Sequence, residues 1–324
     1  MNILKFGGSS IADGVKIRHV AGIIEDTIKN SELAIVVSAF GGVTDTIKTL
    51  AENAAAGKNI DATFDSLVAK HTECVEKLSI KNEINIRRTL DEYFTQLKSD
   101  LLFVAKESHL SSQSLDKVLS YGELLSTKIL AEYLCQIGIP AEQLDARKVI
   151  LTDNYFGHAF VHYQQSYSRI RSYFKDRSYM QVITGFLGST KTGTTTTLGR
   201  SGSDYTAAIF GAALNAKIIE IWTDVSGILS ADPKIINEAE VVPSLTYEEA
   251  MELAHAGAKV IFPPTMIPAL YKNIPIVIKN TFEPDHPGTT IAKDRTKTDK
   301  NVAGISSLSH VALVRLQGAG MVGM

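Results

Sequence analysis

A glycine-flanked arginine separates a run of threonines from an apolar, helix-like segment near residue 200. The glycines are Gly199 and Gly202, and Arg200 lies between them. Glycines between a strand and a helix let backbone N–H groups turn toward a ligand, and a helix N-terminus favours an anion. The planar guanidinium of Arg200 fits a carboxylate or a phosphate. The stretch predicts an anion-binding loop, although an ordinary helix start with Ser203 or Asp204 as N-cap explains the same residues.

Lys5 precedes a second glycine loop, at Gly7 and Gly8. Phosphoryl transfer depends on positioning and on neutralising charge, and a lysine behind a glycine loop suits both tasks. The competing interpretation is a strand lysine whose ammonium group lies in solvent. Several anion-binding loops without a basic groove favour a phosphorylated small molecule as ligand, with Lys5, Arg200 and Lys234 as candidate cations.

The first 45 residues predict elements that would bring these loops together. Residues 2–6 form a strand that ends in a Gly/Ser loop, and residues 17–28 repeat apolar side chains at helical spacing. Residues 34–37 form a second strand, which leads into a glycine-rich loop at 38–45. This is a βαβ unit with a polar loop at the carboxyl end of each strand, where open parallel sheets bind ligands.

The rest of the chain continues the alternation of helices and strands. Residues 46–110 are polar and helical, and predict a solvated cover or a lid. Further strands are predicted at 182–186, 217–222 and 274–278, the last of these being the final core strand, and helices at 115–130, 205–214, 246–256 and 264–272. The helix at 246 starts with a capping box, Thr246 with Glu249.

Composition narrows the classes of protein. The chain has 324 residues, of which 44% are hydrophobic, and a formal net charge of −2, which argues against nucleic acid as the main partner. Cys74 and Cys135 lie far apart, without metal-site spacing, which is typical of a reducing cytoplasm. No apolar run is long enough for a bilayer, and the first residues predict a strand and not a signal peptide.

Three apparent motifs are rejected. Residues 318–323 match G-x-G-x-x-G after a strand, but no helix and no acidic residue follow them. Residues 188–194 lack the Gly-Lys-Ser/Thr ending of a P-loop. His158 and His162 are four residues apart without a third ligand nearby, so a surface pair is favoured over a zinc site.

Six short motifs, in order, resemble those of the aspartate kinases. They are Lys5-Phe6-Gly7-Gly8-Ser9-Ser10, Val37-Ser38-Ala39, Ser120-Tyr121-Gly122-Glu123, Gly199-Arg200-Ser201-Gly202-Ser203-Asp204-Tyr205, Thr223-Asp224-Val225-Ser226-Gly227 and Gly257-Ala258-Lys259-Val260. The resemblance extends to about Ile291, and residues 261–265 and 279–282 look most like the bifunctional aspartokinase–homoserine dehydrogenases. It implies the amino-acid kinase fold, a three-layer α/β/α sandwich around a mainly parallel sheet.

The resemblance also implies a domain plan. Residues 1–292 would form the catalytic domain, with 46–110 as its helical cover, and residues 293–301 would form a linker. Residues 302–324 would contain the first strand, at 311–316, of a truncated ACT-type regulatory domain. The full-length protein would be a cytoplasmic homo-oligomer.

The activity implied is transfer of the γ-phosphoryl group of MgATP to the β-carboxylate of L-aspartate. Lys5 and Asp204 would be catalytic, and no metal would be held by the protein alone. The residues that would bind aspartate are Thr44, Glu123, Arg200 and Ser203. The residues that would bind ATP are Lys5, Gly7, Gly8, Ser9, Thr223, Asp224, Leu229, Asp232, Lys234 and Lys259.

Two alternatives stay open at this point. The first is another amino-acid-kinase relative that acts on glutamate, carbamate or a nucleoside monophosphate. The pair of Glu123 and Arg200 favours an α-amino acid over a nucleotide as the acceptor. The second is a non-catalytic amino-acid sensor, against which Lys5, Asp204 and Lys259 favour catalysis. The chain also departs from the aspartate kinases, which often have Gly at 201, Tyr at 229 and Arg at 234, and usually His-Pro-Arg/Lys where Phe262-Pro263-Pro264 stands.

Overall fold

The computed structural model describes residues 1–81, 83–255, 262–295 and 302–307. Ten strands lie within these residues. They are β1 (Asn2–Phe6), β2 (Leu33–Val37), β3 (Ala141–Leu144), β4 (Met180–Thr184), β5 (Leu187–Ser189), β6 (Thr195–Thr197), β7 (Ile219–Thr223), β8 (Ser244–Thr246), β9 (Ile276–Asn280) and β10 (Thr289–Ala292). Eight of them form one sheet, while β5 and β6 form a separate hairpin.

The order of the main sheet is β3-β4-β2-β1-β7-β9-β10-β8. All neighbours are parallel except β9 and β10. The central strand β2 is buried along its whole length and has the sequence Leu-Ala-Ile-Val-Val. Such unbroken apolar runs occur because helices cover both faces of a parallel sheet.

Nine α-helices lie among the described residues and form two layers. They are α1 (Gly14–Ile28), α2 (Val43–Ala55), α3 (Asp61–Leu78), α4 (Glu83–Glu107), α5 (Ser112–Gln136), α6 (Tyr163–Lys175), α7 (Gly202–Leu214), α8 (Tyr247–His255) and α9 (Ile267–Lys272). Helices α1–α5 share one hydrophobic core with one face of the sheet, and α6–α9 share a second core with the other face. The predicted three-layer α/β/α sandwich is therefore confirmed.

Local sequence signals set several helix starts. The Asp13 carboxylate caps α1 by accepting from the backbone N–H groups of Val15 and Lys16 at 2.9 and 3.0 Å. At α8, Thr246 N–H donates to Glu249 Oε2 at 2.8 Å and Glu249 N–H donates to Thr246 Oγ1 at 3.1 Å. This is the predicted capping box, with Thr246 itself at the end of β8.

Some boundaries and one strand differ from the predictions. β4 ends at Thr184, not 186, because Phe186 has a left-handed φ of 68° that no strand accommodates. Residues 274–278 were expected to be the final core strand, but β9 runs over Ile276–Asn280 and β10 then pairs antiparallel with it. A four-residue strand such as β10 has too short a pattern to stand out in a sequence.

The predicted helical region 46–110 contains most of α2 and all of α3 and α4, and these helices are not simply a solvated layer. Ile86, Leu90, Leu97 and Leu101 of α4 are at most 3% exposed. They recur at helical spacing and form one buried stripe, while charged residues occupy the other side. The region therefore supplies core as well as surface.

Two predictions concern the C-terminal part of the chain. The strand expected at 311–316 and the rejected glycine motif at 318–323 lie outside the described residues. Residues 302–307 have no regular secondary structure, and Ile305 N–H donates to Ser230 O at 2.7 Å. Within the described residues, no helix is both long and apolar enough to span a bilayer.

Candidate active site

A polar cleft of about 310 Å³ opens where β1 and β2 end and α7 begins. Parallel strands leave their carboxyl ends at one edge of the sheet, so the loops that follow them converge there. The side chains and backbone that line the cleft are those of Lys5, Ser38, Thr44, Glu123, Phe186, Gly199, Ser201, Gly202, Ser203 and Asp204. Lys5, Thr44, Glu123, Ser203 and Asp204 were all predicted from the sequence as site residues.

Lys5 and Asp204 form an ion pair inside this cleft. Their side chains are 10% and 11% exposed, and Lys5 Nζ lies 2.7 Å from Asp204 Oδ1. Side chains alternate along β1, so Leu4 and Phe6 pack into the core under α1–α5 while Lys5 points to the side of α7. Asp204 lies in the first turn of α7 and meets it there. The Lys5 ammonium is therefore held at the cleft by Asp204. This differs from the competing interpretation, in which it would lie in solvent.

The two glycine loops after β1 and β2 are packed against each other. Gly41 N–H donates to Gly8 O at 2.9 Å, and a Cβ on Gly8 would lie only 2.7 Å from Ala39 O. Lys70 of α3 donates to Gly41 O at 2.6 Å. A Cβ on Gly7 would lie 3.5 Å from Lys5 Nζ, so this glycine is next to the lysine ammonium. Small residues are required here because backbone meets backbone.

Glu123 is a buried carboxylate with an unfilled hydrogen-bonding position. It is 3% exposed; Oε1 accepts from Ala39 N–H at 3.2 Å, and no group of the described residues forms a hydrogen bond with Oε2. Burial raises the pKa of Glu123 to about 8. Gly122 lets α5 approach the loop this closely, since a Cβ at that position would lie 2.8 Å from Ala39 Cβ. A cationic ligand group beside Oε2 would satisfy both the charge and the free oxygen.

The loop between β6 and α7 turns sharply to present the helix end to the cleft. Ser201 has a φ of 53°, and α7 starts at Gly202 without a side-chain cap. The alternative that Ser203 or Asp204 serves as N-cap is therefore wrong, because both lie inside the first turn. Ser203 is 8% exposed and fills the space beside Gly185, where a Cβ would lie 2.4 Å from Ser203 Oγ.

Arg200 is not among the residues that line the cleft. It is exposed, and its guanidinium lies over the ring of Phe262, 5.6 Å from the ring centroid. Cation–π contacts at exposed sites contribute about 0.5–1 kcal/mol, so this arrangement is easily exchanged for another. Arg200 nevertheless follows Gly199 directly and lies at the margin of the same loop.

The predicted nucleotide-binding residues after β7 are not among those that line the cleft. Thr223 Oγ1 donates to Asp224 Oδ1 at 3.2 Å, and Asp224 is exposed. Asp232 Oδ1 accepts from Lys234 N–H at 2.9 Å, with both residues exposed. Leu229 forms an isolated bridge with Val241. Of these residues, Thr223 and Asp224 lie at the carboxyl end of β7, which pairs with β1 through Phe6 and Trp222.

Two further predicted nucleotide contacts remain. Ser9 is half-buried in a short 3-10 turn at Gly8–Ile11, directly after β1. Lys259 lies outside the described residues.

Ser38 and Phe186 line the cleft although neither was named as a site residue from the sequence. Ser38 stands in the recognised Val37-Ser38-Ala39 segment, so its place after a strand was a usable signal. Phe186 looked like the end of a strand. Its left-handed backbone conformation, held by a 3.0 Å bond from its N–H to Thr206 Oγ1, depends on tertiary contacts.

The family model described as "Amino acid kinase family" matches residues 1–280. The chain is 35% identical to aspartokinase 1, chloroplastic, of Arabidopsis thaliana, over 99% of this chain and 57% of that protein. It is 32% identical to the bifunctional aspartokinase/homoserine dehydrogenase of Haemophilus influenzae, over 100% of this chain and 40% of that protein. The chain thus spans about half the length of these relatives.

Solved structures give the same grouping. Aspartokinase III of E. coli, in complex with aspartate and ADP, superposes with a TM-score of 0.84 at 30% identity, over 92% of this chain and 65% of that one. The aspartate kinase of Clostridium acetobutylicum gives a TM-score of 0.79 at 32% identity, over 94% of this chain and 66% of that one. The mainly parallel sheet with its two helical layers is common to all of them.

Proposed function

Because the chain belongs to the amino acid kinase family, we propose that it transfers the γ-phosphoryl group of ATP to the β-carboxylate of L-aspartate. The observation that carries this proposal is one cleft with two features of opposite kind. A buried lysine held by Asp204 suits a phosphoryl group, and a buried carboxylate with a free oxygen, Glu123, suits an ammonium group. A phosphoryl donor and an α-amino acid would therefore meet in the cleft.

The acceptor side is assigned to Thr44, Glu123, Arg200 and Ser203. Glu123 Oε2 would receive the α-ammonium group, which removes the cost of burying that carboxylate alone. Arg200 would leave Phe262 and bind the α-carboxylate with its planar fork. Thr44 and Ser203 line the cleft with hydroxyl groups that suit the remaining oxygens.

The donor side is assigned to Lys5 and to the loops after β1 and β7. Backbone groups of Gly7, Gly8 and Ser9 would bind phosphate oxygens, since their loop is held close to the Lys5 ammonium. The nucleotide would extend toward the groups named after β7, which are Thr223, Asp224, Leu229, Asp232, Lys234 and, as a proposal from the sequence alone, Lys259.

Mg²⁺ fits this arrangement as a partner of the triphosphate. The described residues contain no cluster of three or more His, Cys, Asp or Glu side chains that could hold a metal ion. Magnesium in kinase sites is held largely by substrate phosphates and water, with one or two carboxylates. Asp204, in the cleft, is the carboxylate that would contact its water shell, and the ion would neutralise phosphate charge.

The chemical step requires little from the protein beyond position and charge. An oxygen of the aspartate β-carboxylate attacks the γ-phosphorus, the bond from that phosphorus to the bridging oxygen breaks, and ADP leaves. The product is an acyl phosphate. Lys5 would stabilise the negative charge on the transferred group, because a fixed cation in a dry site acts strongly on the transition state.

We also propose the domain plan that the resemblance to the aspartate kinases implies. Residues 1–292 would be the catalytic unit, 293–301 a linker and 302–324 the start of an ACT-type regulatory domain. We further propose a cytoplasmic location, which the free thiols of Cys74 and Cys135 favour, and a homo-oligomeric state for the full-length protein.

Trapping with hydroxylamine tests the activity directly. The chain is incubated with aspartate, ATP and Mg²⁺, and the acyl phosphate is converted to a coloured hydroxamate while ADP is quantified separately. We expect equal amounts of hydroxamate and ADP with aspartate. Glutamate, a carbamate source and UMP serve as competing acceptors. ADP release that depends on one of these and not on aspartate would contradict the proposal.

The role of Arg200 has its own test. Arg200→Ala should raise the KM for aspartate by about tenfold or more, because a charged hydrogen bond to the α-carboxylate is lost. The KM for ATP should stay unchanged. A rise confined to the KM for ATP would assign Arg200 to the other substrate.

A further inference from the structure

Asp116 is a buried carboxylate on α5 that the proposed reaction does not use. The residue is 1% exposed. Its Oδ2 accepts from the backbone N–H groups of Gly157 and Thr197, each at 2.9 Å, and its Oδ1 accepts from the Thr197 hydroxyl at 2.8 Å. The two segments are also joined directly, since Ala159 N–H donates to Thr197 O at 2.9 Å. A carboxylate at this depth is retained only where such donors replace its lost hydration.

Both hydrogen-bond partners of Asp116 lie next to segments that contact or contain Gly199, which lines the cleft. Thr197 ends β6, and only Leu198 separates it from Gly199. Gly157 precedes His158, which packs against the cleft wall: a Cβ on Gly199 would lie 2.2 Å from His158 Nδ1. The strand and the loop that support this wall are therefore both bound to one side chain.

The same helix also supplies Glu123 to the cleft. Asp116 and Glu123 are seven residues apart on α5, close to two helical turns, so they lie on the same flank. The rise between them is about 10 Å along the helix axis. Glu123 lines the cleft itself, whereas Asp116 holds the supports of the loop at 199–203. One rigid helix thus connects two separate parts of the cleft lining.

We propose that Asp116 is a positioning residue that sets the separation between Glu123 and the loop at 199–203, and so the fit of the amino-acid acceptor. The inference rests on the proposed function. Glu123 would bind the ammonium group, and the loop, with Arg200 and Ser203, would bind the other end of the same small molecule. Their separation must match the acceptor, and displacements of about 1 Å in such sites cost up to about 100-fold in rate.

Asp116→Asn tests the proposal with little change in volume. The amide offers one oxygen where the carboxylate has two, so at least one of the three donors loses its acceptor. We expect kcat/KM for the acceptor to fall by about 10- to 100-fold while KM for ATP changes by less than about twofold. Thr197→Val, which removes only the hydroxyl donor, should show the same selectivity at smaller size. Thr197→Ser should restore near-normal kinetics because it keeps the hydroxyl.

Asp100→Asn is the matched control. Asp100 also holds α5, by accepting from Tyr121 Oη at 2.8 Å and Lys117 Nζ at 2.6 Å, but these bonds reach neither loop. It should leave the acceptor KM unchanged. If Asp100→Asn raises that KM as much as Asp116→Asn does, or if Asp116→Asn affects ATP and acceptor equally, Asp116 has only a structural role and the inference is wrong.

Hydrogen–deuterium exchange separates this inference from the proposed function. In Asp116→Asn the amides of residues 153–162 and 194–203 should exchange faster than in the parent chain, and in Asp100→Asn they should not. Unchanged exchange overturns the inference whatever the substrate. Absence of hydroxamate from the parent chain overturns the proposed function instead, and the kinetic comparison then uses the acceptor that supports ADP release.

Discussion

The Lys5 ammonium lies 2.7 Å from Oδ1 of Asp204, and the two side chains are 10% and 11% exposed. One residue belongs to the first strand and the other to a helix almost 200 positions later in the chain. The pair holds a cation at the cleft without leaving it in solvent. Removing either side chain alone should lower the stability of the fold, because the remaining charge would be buried without a partner.

Lys5→Met should lower turnover by about 100- to 1,000-fold, because a charge partner of the transition state is lost. Steady-state ADP release with aspartate as acceptor measures this. Lys29→Met is the control, since Lys29 is an exposed lysine paired with Asp26 at the surface. Near-normal turnover in Lys5→Met would remove Lys5 from the catalytic role.

A double variant separates folding from catalysis at this pair. Lys5→Met alone leaves Asp204 buried without its cation, so its thermal midpoint should fall. Lys5→Met combined with Asp204→Asn should recover much of that midpoint, because no unpaired charge remains. Turnover should stay low. If the double variant recovered both its thermal midpoint and its turnover, the loss of turnover in Lys5→Met would have come from unfolding.

With the proposed role of Glu123, acceptor binding should depend on pH. Its pKa in the empty site is raised to about 8 by burial, so the carboxyl is mostly protonated at neutral pH and an ammonium ligand must displace that proton. The apparent affinity for aspartate should therefore rise with pH up to about 8 and level off above it, by at most about tenfold per pH unit. Calorimetry in buffers of different ionisation enthalpy should detect the released proton.

Glu123→Gln should weaken aspartate binding and abolish this pH dependence. Glu132→Gln on the same helix is the control, because Glu132 pairs with Lys128 away from the cleft lining. A pH dependence that persists in Glu123→Gln would belong to another group.

Gly122→Ala and Gly22→Ala should have opposite effects on stability. Alanine normally stabilises a helix by about 1 kcal/mol relative to glycine. At Gly22 of α1 a Cβ would meet no atom of the described residues within 4 Å, so that gain is expected in full. At Gly122 the Cβ would lie 2.8 Å from Ala39 Cβ, and overpacking should cost about 1–3 kcal/mol. Urea unfolding curves measure both values.

Gly122→Ala should also raise the KM for the acceptor. The added methyl group pushes α5 away from Ala39, whose N–H is the donor to Glu123 Oε1. If the variant is destabilised but keeps its acceptor KM, the close packing serves stability and does not position Glu123.

His71 should make the fold sensitive to acid. It is fully buried, stacks on Phe40 at 4.9 Å between ring centroids, and its Nε2 has no hydrogen-bond partner within the part of the chain that the structure describes. Burial lowers its pKa from 6.5 to about 4. A lowered pKa gives stability that is complete above about pH 6.5 and is lost as pH falls toward 4, on the order of 3 kcal/mol in total.

Comparison with His71→Phe isolates this effect from other titrating groups. The phenylalanine keeps a ring beside Phe40 but cannot take up a proton. The difference in unfolding free energy between the two proteins should change in favour of His71→Phe between about pH 6.5 and 4. A constant difference over that range would mean that His71 is not protonated on unfolding.

Local patterns were sufficient wherever one segment decides its own structure. The strand at 2–6 was predicted with its bounds, and the capping box of Thr246 and Glu249 forms as expected. Predictions failed where a distant contact decides the backbone. Phe186 looked like strand, but a bond to Thr206 and a left-handed φ end the strand before it.

The candidate site divides in the same way. Lys5 could be selected because a lysine beside a glycine loop suits phosphate binding, whereas Glu123 and Asp204 were assigned their roles through the resemblance to the aspartate kinases. Nothing in the sequence indicated that Arg200 would lie on Phe262, or that Asp116 would hold the loop beyond Thr197. Those contacts join residues far apart in the chain, where spacing carries no information.

The sequence by itself determined the class of fold, the order of its elements and the chemistry of the residues at the strand ends. Periodicity, glycines and charge are local properties, and each is visible in a few consecutive residues. Only the tertiary structure decided that Glu123 is buried with one free oxygen and that Lys5 is paired with Asp204. Burial and pairing depend on which segments pack together, and that is set by the closing of the whole sheet between its two helical layers.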